Sequence, residues 1–107
     1  MRIPADAIIA QDKLTKYLLV QRQWDDKSGF LRQCGFALAN WNDLDLAIRA
    51  LCDSVEAVDD GANEYGTFYR IDGALKGPTA TLAVTLIWMR RSVDQRVYFV
   101  TLKPRKE

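Results

Sequence analysis

Three side chains spread along the sequence have the chemistry to bind a phosphate group: Lys27, Arg70 and Thr101. Lysine and arginine can neutralise an anion and the charge that develops on a phosphorane, and a hydroxyl can donate a hydrogen bond to it. Each residue also has an ordinary explanation. Lys27 fits a solvated lysine beside Asp25 and Asp26, and the other two fit a solubilising charge and a common strand residue. A phosphate site requires the three side-chain tips to lie within roughly a few ångströms of a common point.

The sequence contains no histidine, which excludes several mechanisms within this chain. Ser-His-Asp and Cys-His arrangements, a histidine general acid and histidine-dependent zinc sites are all impossible. Any catalysis must therefore use carboxylates, lysine, arginine, tyrosine or the weakly reactive hydroxyls and thiols. No metal or cofactor site is predicted, because the acidic residues form no paired site and Cys34 and Cys52 lack metal-ligand spacing.

Charge divides the chain into two unlike halves. Residues 1–64 contain seven Lys or Arg and eleven Asp or Glu, whereas residues 65–107 contain eight and three. The formal net charges are −4 and +5, which points to a polyanion such as RNA or to a protein of complementary charge. Candidate nucleic-acid-binding residues, at the end of the last hairpin and in the tail, are Arg90, Arg91, Arg96 and Lys103, beside Arg105 and Lys106. A solvated rim is the alternative.

Helical periodicity fills the first half of the chain and must position Lys27. Apolar residues three and four apart predict a first helix over 11–20 and a second over 27–34, capped by Asp26 and ended by Gly35. The clearest stripe predicts a third helix, and it runs through Trp41, Leu44, Ile48, Leu51, Val55 and Val58. The run Asp59-Asp60-Gly61 ends that helix.

After residue 64 the period changes to two, which is typical of strands. Strands are predicted over 65–71, 79–90 and 96–102, with a turn region over 72–78, and residues 7–9 can add a short edge strand. The predicted fold class is α+β, with three helices packed on one face of a three- to four-stranded antiparallel meander. The chain is a single domain, 1–107, with a helical part over about 1–60 and a sheet over about 64–103.

Alternation along the strands divides the sheet into two faces. The more apolar set is predicted to face the helices: Tyr65, Tyr69, Ile71, Leu82, Val84, Leu86, Trp88, Tyr98, Val100 and Leu102. Deep burial is predicted for Trp41, Leu51, Tyr69, Leu86 and Trp88. The opposite face then exposes Phe68, Ile87 and Phe99. Such a patch predicts a homodimer or a partner protein better than it predicts stacking on bases.

The composition is that of a globular protein, with 49% hydrophobic and 27% charged residues. No apolar run approaches the roughly 20 residues that a membrane-spanning helix needs, so no membrane partner is predicted. The first ten residues contain no visible secretory signal. Two buried thiols in a reducing compartment explain the cysteines, and the predicted location is cytoplasmic.

Short motifs are spread over most of the chain: K-L-x-x-Y-L-L from Lys13, K-x-x-F-L-x-x-x-G-F from Lys27, N-W from Asn40, Y-G-T-x-Y from Tyr65 and D-G-x-L-x-G-P from Asp72. Together they resemble a family of small uncharacterised bacterial proteins, a domain of unknown function. The order of elements is similar to that of the barnase–EndoU–RelE-like toxin domains. The resemblance implies a toxin-like domain and matches Lys27 to a lysine of the family. Thr79-Ala80-Thr81 stands where the family has a basic residue.

Two functional hypotheses from different classes follow. In the first, the protein is a histidine-free ribonuclease-like toxin domain that acts on RNA phosphodiesters, with Lys27, Arg70 and Thr101 as catalytic residues and an inhibitor protein as partner. In the second, it is a non-enzymatic protein-interaction module or homodimer that uses the exposed sheet face. Convergence of Lys27 and Arg70 in one cleft favours the first, and an exposed patch of Phe68, Ile87 and Phe99 favours the second.

Overall fold

A computed structural model of the protein describes residues 1–21, 23 and 27–105. Helices come first: α1, Gln11–Lys13, continues into a π-helical turn, Leu14–Leu18, and α2 follows at Ser28–Arg32. A 3₁₀ turn, Leu38–Asn40, leads into α3, Trp41–Ser54. Gly35 has a φ of 96° just after α2, as predicted for a glycine that ends a helix, whereas the predicted cap Asp26 lies outside the described residues. Within the described part of the chain, no helix is long and apolar enough to cross a membrane.

Four strands form one antiparallel sheet in the order β1-β2-β3-β4, which confirms the predicted α+β meander. They are β1 Val58–Asn63, β2 Gly66–Lys76, β3 Thr81–Arg91 and β4 Val97–Pro104. The core lies between one sheet face and the helices. Its fully buried members include Leu14, Leu18, Leu31, Leu44 and Ile48 from the helices and Ile71, Leu75, Val84, Leu86 and Leu102 from the strands.

The third helix ends at Ser54, so the prediction that its apolar stripe continues to Val58 is wrong. Residues 58–63 instead pair with β2, through a bulge between Asp59 and Ala62 where Gly61 has a φ of 103°. This edge strand is exposed along its whole length. It therefore has no apolar alternation by which the sequence could reveal it.

The predicted turn over 72–78 is also wrong for residues 72–76, because β2 runs unbroken to Lys76. The turn occupies 77–80, where the Gly77 N–H donates a 2.9 Å hydrogen bond to the Ala80 carbonyl. Gly73 pairs with Val84 within the strand, and a Cβ at this position would lie 2.7 Å from Cδ1 of Leu51 on α3. A glycine inside a strand here marks a close approach between sheet and helix, not a turn.

The face prediction fails for part of β4. The register with β3 shifts between Ile87 and Trp88, so Val97 and Phe99 share the buried face with Leu102, while Tyr98 and Val100 are only half-buried. Phe99 is 3% exposed and packs edge-to-face on Trp88 with ring centres 5.4 Å apart. A bulge reverses the alternation that sequence counting assumes.

Two other burial predictions are wrong, and the rest are confirmed. Tyr65 precedes β2 and is 66% exposed, and Trp41, at the start of α3, is half-buried. The other predicted deep residues, Leu51, Tyr69, Leu86 and Trp88, are each at most 6% exposed.

The segment before α1 lies along the first half of β4. Ile8 forms a parallel bridge with Tyr98, through bonds from the Ile8 N–H to the Val97 carbonyl and from the Phe99 N–H to the Ile8 carbonyl. The edge strand predicted over 7–9 is thus a single bridge. It covers the edge of β4 up to residue 99 and leaves residues 100–104 to face the helical segment.

Candidate functional site

Lys27 lies directly before α2, and its side chain reaches β4. Its Nζ donates a 3.0 Å hydrogen bond to Oγ1 of Thr101 and lies 5.4 Å from the centre of the Tyr17 ring. Two of the three predicted catalytic residues, 74 positions apart in sequence, are therefore in direct contact. A hydroxyl and an aromatic face together hold the ammonium group in a defined place.

Irregularities in the backbone position both partners of Lys27. In β4 the register shift makes Val100 an extra residue, and Thr101 then pairs with Ile87 on the face opposite the core. On the helical side, Tyr17 lies in the π-helical turn, which the Leu19 N–H closes by donating a 3.0 Å bond to the Leu14 carbonyl. Bulges and π turns both insert one residue into a regular element, and both are enriched at functional sites.

These residues line an open pocket of about 800 Å³, which we call the lysine pocket. Its lining consists of Lys13, Tyr17, Lys27, Val100, Thr101, Lys103 and Pro104. Three lysines thus surround it, and the described lining contains no carboxylate. Lys13 and Lys103 make no ion pair with any described residue, so their charge is available to an anion. The volume falls in the range of small-molecule sites.

Arg70, the third predicted catalytic residue, lines a neighbouring depression instead. This arginine depression, of about 450 Å³, is lined by Arg70, Asp72, Thr85, Lys103, Pro104 and Arg105. The Arg70 guanidinium lies 3.4 Å from Asp60 and 3.0 Å from Asp72. The Nε–Asp72 contact is close enough for an ion pair but is not aligned for a hydrogen bond. Arg70 shares the outer face with Thr101, but Ile87 stands between them. The predicted convergence of all three side chains in one cleft is therefore not observed, and only Lys27 and Thr101 meet.

The four predicted nucleic-acid-binding residues lie at two ends of the sheet. Arg90 stacks over Tyr69 at 5.7 Å, and Arg91 lies 4.8 Å from the Tyr98 ring centre and 4.0 Å from Asp94. Arg96 is exposed beside them, in the turn between β3 and β4. Lys103 lies near the other end of β4 and lines both depressions. Lys106 lies outside the described residues.

Sequence reasoning missed Lys13 and Tyr17 as pocket residues. They are four positions apart, which is the spacing of neighbours on one helical face. Helical periodicity assigns Tyr17 to the apolar stripe, although a tyrosine in such a stripe can present its ring edge to solvent. A lysine one turn before that tyrosine was the available signal. Asp72 was missed as a partner of Arg70 because the sequence placed it in a turn, and the hydrogen bond from Thr85 to Asp72 was missed for want of the strand register.

A second, smaller cavity of about 190 Å³ lies beneath the N-terminal segment. Its lining includes Arg49, Cys52, Asp53 and Trp88. Burial, and to a lesser degree Asp53, raises the pKa of the Cys52 thiol to about 12 against the opposing effects of Arg49 and the Trp88 N–H. Burial also raises the pKa of Cys34. Both thiols are therefore protonated at neutral pH and are poor nucleophiles.

Metal binding finds no support among the described side chains. Across 1–21, 23 and 27–105, no three His, Cys, Asp or Glu residues lie close enough together to hold an ion. The chemistry of the lysine pocket, with its three ammonium groups, is that of an anion site.

Comparison with known proteins gives one match. A family model described as a domain of unknown function, DUF6883, matches residues 4–106. No curated protein and no solved structure matches the chain. The expected membership of a family of unknown function is confirmed, whereas the short motifs taken to mark it and the likeness to toxin domains stay predictions. Because the match covers nearly the whole sequence, the chain belongs to the DUF6883 family.

Proposed function

We propose that this protein is a ribonuclease-like domain that binds an RNA phosphodiester in the lysine pocket. The observation that carries the proposal is the 3.0 Å contact between Lys27 Nζ and Thr101 Oγ1, in a pocket that Lys13 and Lys103 also line. A phosphate in this pocket gains charge-assisted hydrogen bonds from flexible ammonium groups.

The chemistry of the lining favours RNA over other phosphate esters. Activation of a water molecule requires a general base, and the described lining offers lysines, a tyrosine and a threonine hydroxyl but no carboxylate. RNA brings its own nucleophile, because the 2′-hydroxyl lies next to the scissile phosphate. A substrate of this kind needs mainly positioning and charge stabilisation from the protein.

The proposed reaction is an internal transesterification. The 2′-oxygen bonds to phosphorus, the bond from phosphorus to the 5′-oxygen breaks, and the products are a 2′,3′-cyclic phosphate and a 5′-hydroxyl. The 2′-hydroxyl proton leaves to solvent, and solvent protonates the 5′-oxygen. Lys27 stabilises the additional negative charge of the phosphorane, and Thr101 holds Lys27 in position. Lys13 and Lys103 bind the flanking strand.

The test uses the purified protein and end-labelled RNA, with DNA of the same sequence as control. Wild type should cleave only the RNA and leave cyclic-phosphate ends. Lys27→Ala should reduce the rate about 100-fold, which is typical when one charge-stabilising donor is removed. Arg32→Ala provides a matched control, because Arg32 is exposed on α2 and lines neither depression. RNA that stays intact and unbound at low salt contradicts the proposal.

A bacterial toxin role follows from the same chemistry. A small ribonuclease that accepts cellular RNA arrests growth unless an inhibitor protein covers its site. Induced expression in bacteria should therefore be toxic, and Lys27→Ala should relieve the toxicity at an equal level of folded protein. Growth that is equally poor with Lys27→Ala would show that toxicity, if present, does not depend on the lysine pocket.

The alternative, a non-enzymatic interaction module or homodimer, keeps one supporting observation. Phe68, Ile87 and Met89 are half-buried neighbours on the outer sheet face, which no described helix covers. Burial of Phe99 removes one member of the predicted patch. Sedimentation of wild type and of Phe68→Lys tests this alternative. Only a dimer formed through the sheet face dissociates with this substitution.

A further inference from the structure

The lysine pocket and the arginine depression are neighbours on the outer side of the sheet. Lys103 and Pro104 line both, so the two depressions meet at the end of β4. The arginine depression contains three cations, Arg70, Lys103 and Arg105, and one carboxylate, Asp72. Both depressions therefore carry more positive than negative charge in their described lining, and they meet at Lys103 and Pro104.

Strand register gives the separation between the two depressions. Arg70, Ile87 and Thr101 form one row across β2, β3 and β4, and Asp72, Thr85 and Lys103 form the next row. Two strand spacings separate the backbones of Arg70 and Thr101, which is about 10 Å. Asp60, on the strand farther from β4, also holds the Arg70 guanidinium, so a phosphate beside Thr101 is not expected to share it. Only a ligand with a second anionic group can use both depressions.

The arginine depression is held in shape before any ligand arrives. Asp60 and Asp72 hold the Arg70 guanidinium, and Asp72 also accepts a 2.5 Å hydrogen bond from the Thr85 hydroxyl. Beyond β4, the Arg105 N–H donates a 3.0 Å bond to the Ala83 carbonyl, which fixes the backbone that carries the exposed Arg105 side chain. Little conformational freedom in the backbone is lost when an anion binds here.

We propose that the arginine depression binds a second phosphate of the strand held in the lysine pocket, so that the ligand is an oligonucleotide and not a mononucleotide. This inference rests on the proposed function, because it extends the same bound strand. Arg105 supplies the exposed cation, Lys103 bridges the two phosphates, and Arg70 donates from a fixed guanidinium. The strand crosses the outer face from the edge of β4 towards β2.

The test compares the affinities of uridine monophosphate and a uridine tetranucleotide. Wild type should bind the tetranucleotide at least about tenfold more tightly, the gain expected from one charged hydrogen-bonded contact. Arg105→Gln should reduce that ratio at least about threefold and lower the salt slope for the tetranucleotide by about 0.7, the value for one lost contact on a single strand. Arg105→Lys should restore most of the ratio, and Arg32→Gln should leave it at the wild-type value.

The possible results separate this inference from the proposed function. Equal affinity for both lengths, with binding that still depends on Lys27, overturns the second subsite and leaves the lysine pocket as a phosphate site. The second subsite is also overturned if the tetranucleotide still binds more tightly than the monophosphate by the wild-type ratio in both Arg105→Gln and Arg70→Gln. The second phosphate then lies elsewhere. Failure of both ligands to bind at low salt overturns the inference together with the proposed function.

Discussion

The two edges of the sheet differ in charge and in how that charge is arranged. At one edge, β1 is exposed and carries Asp59 and Asp60, and the cation facing it, Arg70, is held between Asp60 and Asp72. At the other edge, β4 meets Lys13, Lys27 and Lys103 around a pocket whose described lining has no carboxylate. Around Arg70 itself the charges are balanced within the protein, so the free charge of the arginine depression comes from Lys103 and Arg105, whereas all three lysines of the lysine pocket face a lining without a described carboxylate.

This difference explains why counting charges cannot locate a site. Arg70 and Lys103 both belong to the basic half of the sequence, but two carboxylates neutralise one of them and no described carboxylate pairs with the other. Exposed ion pairs contribute little to stability, so the Arg70 network serves mainly to orient its side chain. The first substitution is expected to destabilise the core that supports both edges. The later substitutions are expected to affect the two edges differently.

The largest effect is expected from Leu51→Ala, because Leu51 on α3 packs against β2 at Gly73 and so supports both edges. Truncation should lower the free energy of unfolding by about 2–5 kcal/mol. Chemical denaturation measures this directly. Leu46→Ala is the matched control, since Leu46 lies on the same helix but is 64% exposed, and it should change stability by less than about 0.5 kcal/mol. Equal losses for both variants would mean that α3 does not pack as described.

The second prediction compares two threonines on the same face of the sheet. Thr101 holds Lys27 in the lysine pocket, whereas Thr85 holds Asp72 beside Arg70. Thr101→Val should reduce RNA cleavage about tenfold, because the ammonium group of Lys27 loses the hydrogen bond to the Thr101 hydroxyl. Thr85→Val should reduce it less than about threefold.

The rates are compared at saturating RNA, after circular dichroism has shown that both variants fold. A larger loss from Thr85→Val than from Thr101→Val would move the reacting phosphate towards Arg70. That outcome would reverse the roles assigned to the two depressions.

The third prediction concerns a substitution that makes the charge around Arg70 more like that of the lysine pocket. Asp72→Asn removes a carboxylate beside Arg70 and leaves a side chain of the same shape, which can still accept the bond from Thr85. The released positive charge should strengthen RNA binding about threefold at low salt and steepen its salt dependence. Weaker binding by Asp72→Asn would show that the orientation of Arg70 matters more than its charge.

The sequence predicted the class of the fold from strong periodic signals, and it named Lys27 and Thr101, which the structure places in contact, from residue type and the expected face alone. Helical stripes gave α3 and its packing, and a lysine before α2 with a threonine late in the last strand gave the pair Lys27 and Thr101. The failures occur where backbone irregularities replace periodicity. The bulge in β4 reverses the alternation and buries Phe99. The bulge in β1 interrupts an exposed edge strand that has no periodic signal, and Gly73 is of a residue type common in turns although it lies within a strand.

Arg70 illustrates a different limit. Its position on the outer face follows from alternation, and the structure agrees, but its partner Asp60 depends on how β1 and β2 pair, and its partner Asp72 was assigned to a turn. Register is set by the turn and the bulge between the two strands, and neither has a clear signal in the sequence. Residue type and face were therefore predictable for Arg70, and its separation from Lys27 was not.

The smallest effect is expected at the far end of the sheet, where Arg91 stacks on Tyr98 near Asp94. The role in nucleic-acid binding predicted for Arg90, Arg91 and Arg96 is then long-range attraction. Arg91→Gln should weaken RNA binding about twofold at low salt and have no measurable effect at physiological salt, because the Debye length there is only about 8 Å. Association rates measured at several salt concentrations test this, since attraction at a distance acts on the on-rate. Lys103→Gln, made for comparison, should weaken binding at every salt concentration through a faster off-rate. If Arg91→Gln slows cleavage as much as Lys27→Ala does, the reacting phosphate lies at the hairpin end, and the contrast between the two edges of the sheet does not govern function.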